Sequence, residues 1–135
     1  MADHRTFLRS LDPATRAHLT TRRDLPGLIH LGIHVGLILA LAVLVGFGVR
    51  GWQLLMFPLG ILLVFLFTLL HETSHATVFR SLRMNVWTAR IAGYVLLMPP
   101  QWFRYFHFAH HKHTHDPALD PELASPKPRT MAQYV

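Results

Sequence analysis

Two clusters of histidine carry the chemistry open to this sequence. His71-Glu72-Thr73-Ser74-His75 sets two imidazoles at i and i+4, and His107-Phe108-Ala109-His110-His111 sets three more close together. On a helix, i and i+4 side chains stand one above the other on one face. The spacing of 107, 110 and 111 confines them to an arc of about 100°. A neutral imidazole offers a lone pair to a transition metal. Packing many unpaired imidazoles together gains nothing otherwise and costs desolvation. Metal ligation accounts for both spacings at once, so His71, His75, His107, His110 and His111 are the expected ligands. His115 falls on the same side if the helix continues, and is a further candidate; His113 falls on the other. His30 and His34 form another i,i+4 pair inside an apolar run, where hydrogen bonding within a helix bundle is the expected role. His4 and His18 are expected to be solvated.

The residue types narrow the metal. His-Glu-x-x-His alone is the zinc-protease pattern, with Glu72 as general base, but it leaves the second cluster without a purpose. Glu72-x-x-His75 also fits the carboxylate-bridged di-iron motif. That site needs several glutamates, and the only other one is Glu122. There is no Cys, which excludes thiolate zinc sites, iron–sulfur clusters and a Cys nucleophile. A set made almost wholly of imidazole suits a mid-row metal such as iron.

The elements that must position these groups read as membrane helices. Only 15% of the 135 residues are charged, against about a quarter in soluble domains. The net charge of +6 fits nucleic acid or an anionic membrane surface. The apolar content selects the membrane, and no nucleic-acid partner is expected. Leu28–Val49 and Trp52–Leu70 contain no Asp, Glu, Lys or Arg, and each is long enough for a span of about 20 residues. Only Arg50 and Gly51 separate them, which makes an antiparallel hairpin. Arg5, Arg9, Arg16, Arg22 and Arg23 precede the hairpin, and Arg80, Arg83, Arg90, Arg104 and Lys112 follow it. The positive-inside rule then places both termini in the cytoplasm, with a bacterial inner membrane as the expected location. Ile91–Met98 is too short to span and is flanked by Arg90, Trp87, Tyr94 and Trp102, so it is expected to lie in the interface. A helix is expected from Gln101 to His115, then a Pro-rich loop.

The predicted fold is an all-α membrane protein: a transmembrane helical hairpin followed by an interfacial helix and a His-box helix at the cytoplasmic face. Its parts are a cytoplasmic arm (1–26), two spans (28–49 and 52–70), a His-box region (71–115) and a Pro-rich loop (116–135).

His71-Glu72-Thr73-Ser74-His75 followed by Ala-Thr-Val-Phe-Arg resembles the first histidine box of the integral-membrane fatty acid desaturases. Arg104-Tyr-Phe-His107-Phe-Ala-His110-His111-Lys-His-Thr114, with Asp116-Pro117 and Asp120-Pro121 behind it, resembles their second box. The order of span, box, interfacial segment and box is also similar, and the resemblance covers residues 25–135. It implies two non-haem iron ions held by His71, His75, His107, His110 and His111, with Glu72 orienting an imidazole from behind. It further implies O2-dependent desaturation of a fatty acyl chain that is part of a lipid, CoA or a carrier. The electrons would come from a ferredoxin or cytochrome b5 type electron-transfer protein.

The family's third box, of the type His-x-x-His-His, is absent, so the sequence is expected to be the N-terminal part of a single desaturase domain, inactive by itself. A related di-iron hydroxylase or ketolase would share the same boxes. The readings from other classes are a membrane zinc metalloprotease and a non-catalytic hairpin with a metal-buffering tail.

Overall fold

A computed structural model of the chain describes residues 4–125, 128 and 130–133. The side chain of His4 and the expected loop at 126–127, 129 and 134–135 lie outside the described residues. The described fold is all-α, as the sequence predicts. Helix α1 spans His4–Ser10 and α2 spans Pro13–Thr20. Asp12 starts α2 by accepting from the amides of Ala14 (3.0 Å) and Thr15 (2.9 Å), and Pro13 takes the first helical position, where no amide is needed.

Helices α3 (Asp24–Gly46) and α4 (Trp52–Ser74) form the hairpin. Each is about 35 Å long at 1.5 Å per residue, enough to cross the hydrocarbon core. Their apolar side chains, Ile33, Leu39, Val43, Leu54, Phe57 and Val64 among them, face outward, which suits lipid rather than water. The connector is longer than expected. Helix α3 closes at Gly46 through bonds from Phe47 N to Val43 O and from Gly48 N to Val45 O, and Gly48 and Gly51 both take left-handed φ. The last residues of the first apolar run therefore belong to the turn. Inside the hairpin, His34 donates from Nε2 to the Leu62 carbonyl at 2.9 Å, the hydrogen-bonded role expected of it.

Helix α4 continues past its apolar run through Ser74, carries His71 on its last turn and is capped by His75. The Thr73 and Ser74 hydroxyls are buried and donate back to the carbonyls of Leu69 and Leu70. Ala76, at φ 55°, ends the helix. The loop behind it is tied down from two sides. Asp24 at the start of α3 accepts from the amides of Arg80 and Ser81. The buried Asn85 amide donates to the carbonyls of Phe79 and Ser81.

Helix α5 runs Leu82–Val95 and α6 runs Pro100–His113. Ile91–Met98 is therefore not an element of its own. Its first half completes α5, whose polar opening is capped by Ser81, and its second half is the turn into α6. Leu97 at φ 55° makes that turn, Met98 N bonds to Gly93 O at 2.8 Å, and Pro100 opens α6. Leu70, Ala89, Ala92 and Phe103 form the core between α4, α5 and α6. Helix α6 ends at His113, and His115 sits beyond it at φ 67°. It does not extend the helical face as expected, because the chain turns there. A 3₁₀ turn at Pro121–Leu123 follows.

Candidate metal centre

The end of α4 and the middle of α6 meet over the Phe103 ring, which stacks on His107 at 5.4 Å and 7°. One ring nitrogen each from His71, His75, His107 and His111 lies within 4.8 Å of the other three. The two boxes, 32 positions apart, touch directly: His75 Nε2 is 2.8 Å from His107 Nε2. His111 Nε2 is 2.9 Å from the same atom. The rings of His71, His75 and His111 stand at 65° to 77° to His107, so nitrogens rather than ring faces converge. The 2.8 and 2.9 Å separations are ones that ligands of one metal with bonds of about 2 Å can take, and the remaining nitrogens, within 4.8 Å, need only a small inward movement to join them.

Protonation favours the same use. Burial, followed by the neighbouring His71 and His111, holds His75 below the ordinary imidazole range. His107 is buried and pushed down to about 4, by burial first and then by His71, His111 and His75. Both rings are neutral near pH 7 and keep a lone pair for a metal.

Two carboxylates stand behind the rings. Glu72 Oε1 accepts from His71 Nδ1 at 3.0 Å, and Glu72 Oε2 accepts from the Thr77 hydroxyl at 2.8 Å. Asp120, buried, accepts from His110 Nδ1 at 2.9 Å and from the amides of His115 and Glu122. Burial raises the Asp120 carboxyl, but these hydrogen bonds outweigh it and hold the group below the usual carboxylate range. A ring that donates from Nδ1 leaves Nε2 with the lone pair, the arrangement by which outer groups orient metal-binding histidines.

The structure therefore sorts the expected ligands. It brings His71, His75, His107 and His111 together. His110 stands beside them, its ring 5.8 Å from that of His111 and 6.4 Å from that of His107, and it turns its Nδ1 to Asp120. His115 contributes a backbone amide to Asp120. Sequence reasoning did not assign a role to Asp120 or Thr77. The signal for Asp120 was its place before Pro121. Asp-Pro favours a turn in which the carboxylate takes up following amides, and here one carboxylate also reaches a ring.

The family model described as fatty acid desaturase matches residues 50–135, more than half of the chain. No curated protein and no solved structure matches.

Proposed function

Because the chain belongs to the fatty acid desaturase family, we propose that its histidines hold the iron centre of an O2-dependent acyl desaturase. The convergence of four imidazole nitrogens from α4 and α6 carries this reading. His71, His75, His107 and His111 are the ligands of one ion. His110, oriented by Asp120, offers Nε2 as a further ligand, toward a second. Glu72 orients His71 rather than touching metal, and His115 receives no ligand role.

The two irons, with O2 and two electrons from a ferredoxin or cytochrome b5 type donor, supply an oxidant strong enough for an unactivated methylene. The overall change removes two hydrogens from adjacent methylenes, and O2 with two further protons and two electrons leaves as two waters. The chain's own residues hold the imidazoles neutral and aimed. Their place at the end of α4 puts this chemistry at the membrane face, within reach of acyl chains. The Arg distribution supports a cytoplasmic site with both termini on that side of a bacterial inner membrane.

The zinc-protease reading needs Glu72 free to activate water. Its two oxygens are instead taken up by His71 and Thr77, and two further imidazoles crowd the site.

Metal analysis of the purified protein, with lipid analysis of cells expressing the gene, tests the proposal. Iron that is lost in His107→Ala is expected in the purified protein, and new double bonds in the acyl lipids of cells that express the whole gene. Hydroxylated products would move the reading to the related hydroxylases. Zinc with peptidase activity would overturn it.

A further inference from the structure

A groove of about 430 Å³ opens where the last turn of α4 meets α5 and α6, lined among others by Ser74, Ala89, Arg90, Arg104, Tyr105 and Phe108. Two features set it apart. Both cations on its wall lack a counter-charge: among the described residues no acidic side chain lines it and no ion pair engages Arg90 or Arg104. Each guanidinium is instead laid over an aromatic face, Arg90 at 4.8 Å from the Trp87 ring centre and Arg104 at 5.0 Å from that of Phe108. Such contacts pin a cation without neutralising it.

The groove also lies at headgroup depth. It begins where the second apolar span ends, and Trp87, Tyr94, Trp102 and Tyr105 on α5 and α6 are all exposed, the distribution of an interfacial aromatic belt. Finally, it borders the histidines: Phe108 on its wall is 5.3 Å from the His75 ring, and Ser74 precedes His75.

We propose that this groove binds the anionic phosphate headgroup of the acyl lipid on which the protein acts, with Arg90 and Arg104 as its ligands. The assignment rests on the desaturase reading for the identity of the lipid as substrate. Two guanidiniums suit the oxygens of a phosphate through charge-assisted bonds. The apolar part of the groove accepts the glycerol and first methylenes, and the adjoining wall directs the chain past the imidazoles.

The test is displacement of a fluorescent phosphatidylglycerol from the purified full chain in phosphatidylcholine micelles. Unlabelled phosphatidylglycerol is expected to displace it better than phosphatidylcholine does. Arg90→Gln with Arg104→Gln is expected to weaken phosphatidylglycerol binding about tenfold, a change of about 1.4 kcal/mol. The corresponding Lys pair, which keeps the charge, retains most of the preference and shows that the fold tolerates change at both positions. Arg16→Gln with Arg83→Gln removes equal charge outside the groove and leaves the preference in place.

An unaltered preference in the Arg90/Arg104 Gln pair overturns the proposal. So does equal loss in the Arg16/Arg83 pair, which would mean diffuse surface attraction. Displacement by inorganic phosphate as effective as by the lipid would also overturn it, leaving a free-anion site. Iron measured on the same samples separates the two readings. Lipid preference without iron keeps the groove and removes the desaturase; iron without lipid preference does the reverse.

Discussion

The buried carboxylate of Asp120 and the ring of His110, 10 positions apart, are joined by a 2.9 Å hydrogen bond from Nδ1. The same carboxylate accepts the amides of His115 and Glu122, so the turn after α6 is built around it. One side chain thereby folds the loop and sets the direction of a ring.

Asp120→Asn is expected to loosen His110 while the helices stay formed, because an amide can fill the space but accepts less strongly. Loss of such an outer partner lowers metal affinity about 10- to 100-fold. Iron titration should show the weaker occupancy alongside an unchanged far-ultraviolet circular dichroism spectrum. Full occupancy would mean that Asp120 serves only the turn.

His107 is the hub of the four rings, with Nε2 within 2.9 Å of both His75 and His111. His107→Ala is expected to reduce metal affinity at least about 100-fold, since it removes a ligand and opens the space that fixes two others. His113→Ala lies outside the set of four and should bind metal as the parent does. Equilibrium dialysis against ferrous iron compares the two.

Glu72→Gln separates orientation from acid–base chemistry. The amide still offers an oxygen to His71 but loses its charge, so metal affinity is expected to fall about tenfold. Thr77→Val, which frees one Glu72 oxygen, should have a smaller effect in the same direction. A Glu72→Gln protein with full metal affinity and no activity would instead mark Glu72 as a general base.

The depressed His107 makes a prediction about pH for the metal-free chain. Its folded value of about 4 lies below the ordinary imidazole value of 6.5. Between those values the unfolded chain binds more protons than the folded one, so stability rises with pH across that window. The contribution is fully present above about 6.5 and is lost as pH falls toward 4. Thermal unfolding of the metal-free protein in detergent should show a falling midpoint from pH 7 to about 4, and His107→Ala should flatten the slope. An unchanged slope in the variant would assign the effect to other groups.

How far the sequence carries the reading is seen best at α6. Helical periodicity places residues 107, 110 and 111 on one arc, and His107 and His111 do converge there. It has no term for Asp120, which draws His110 aside through a loop that periodicity does not describe. Helix α5 was hidden for a similar reason. Its apolar half, Ile91–Val95, is visible as composition, but its polar opening is held by the side chains of Ser81 and Asn85 acting on the loop before it. The two apolar runs of the hairpin, by contrast, were legible, because transfer of apolar side chains into lipid depends on local composition alone. The helix ends were displaced: α3 already starts at Asp24 and stops at Gly46, before the left-handed backbones of Gly48 and Gly51, and α4 runs on to Ser74.

The distance from α4 to α6 depends on the turn at Gly93. A Cβ placed on Gly93 would sit 2.5 Å from the Met98 carbonyl oxygen and 3.0 Å from Pro100 Cδ. Both neighbours belong to the turn, and the Met98 oxygen is backbone, so neither can swing away as a flexible side chain would. Gly93→Ala must push the turn off α5, at a cost of about 1–3 kcal/mol. Helix α6 begins at Pro100, so the displacement passes to Phe103 and to the His107 ring stacked on it. Metal affinity should fall together with thermal stability, although no ligand has changed. Gly60→Ala in α4 meets nothing within 4 Å and should alter neither. If Gly93→Ala lowered the unfolding midpoint but left iron binding intact, the α5–α6 turn would be a support for the fold and not for the spacing of the two histidine pairs.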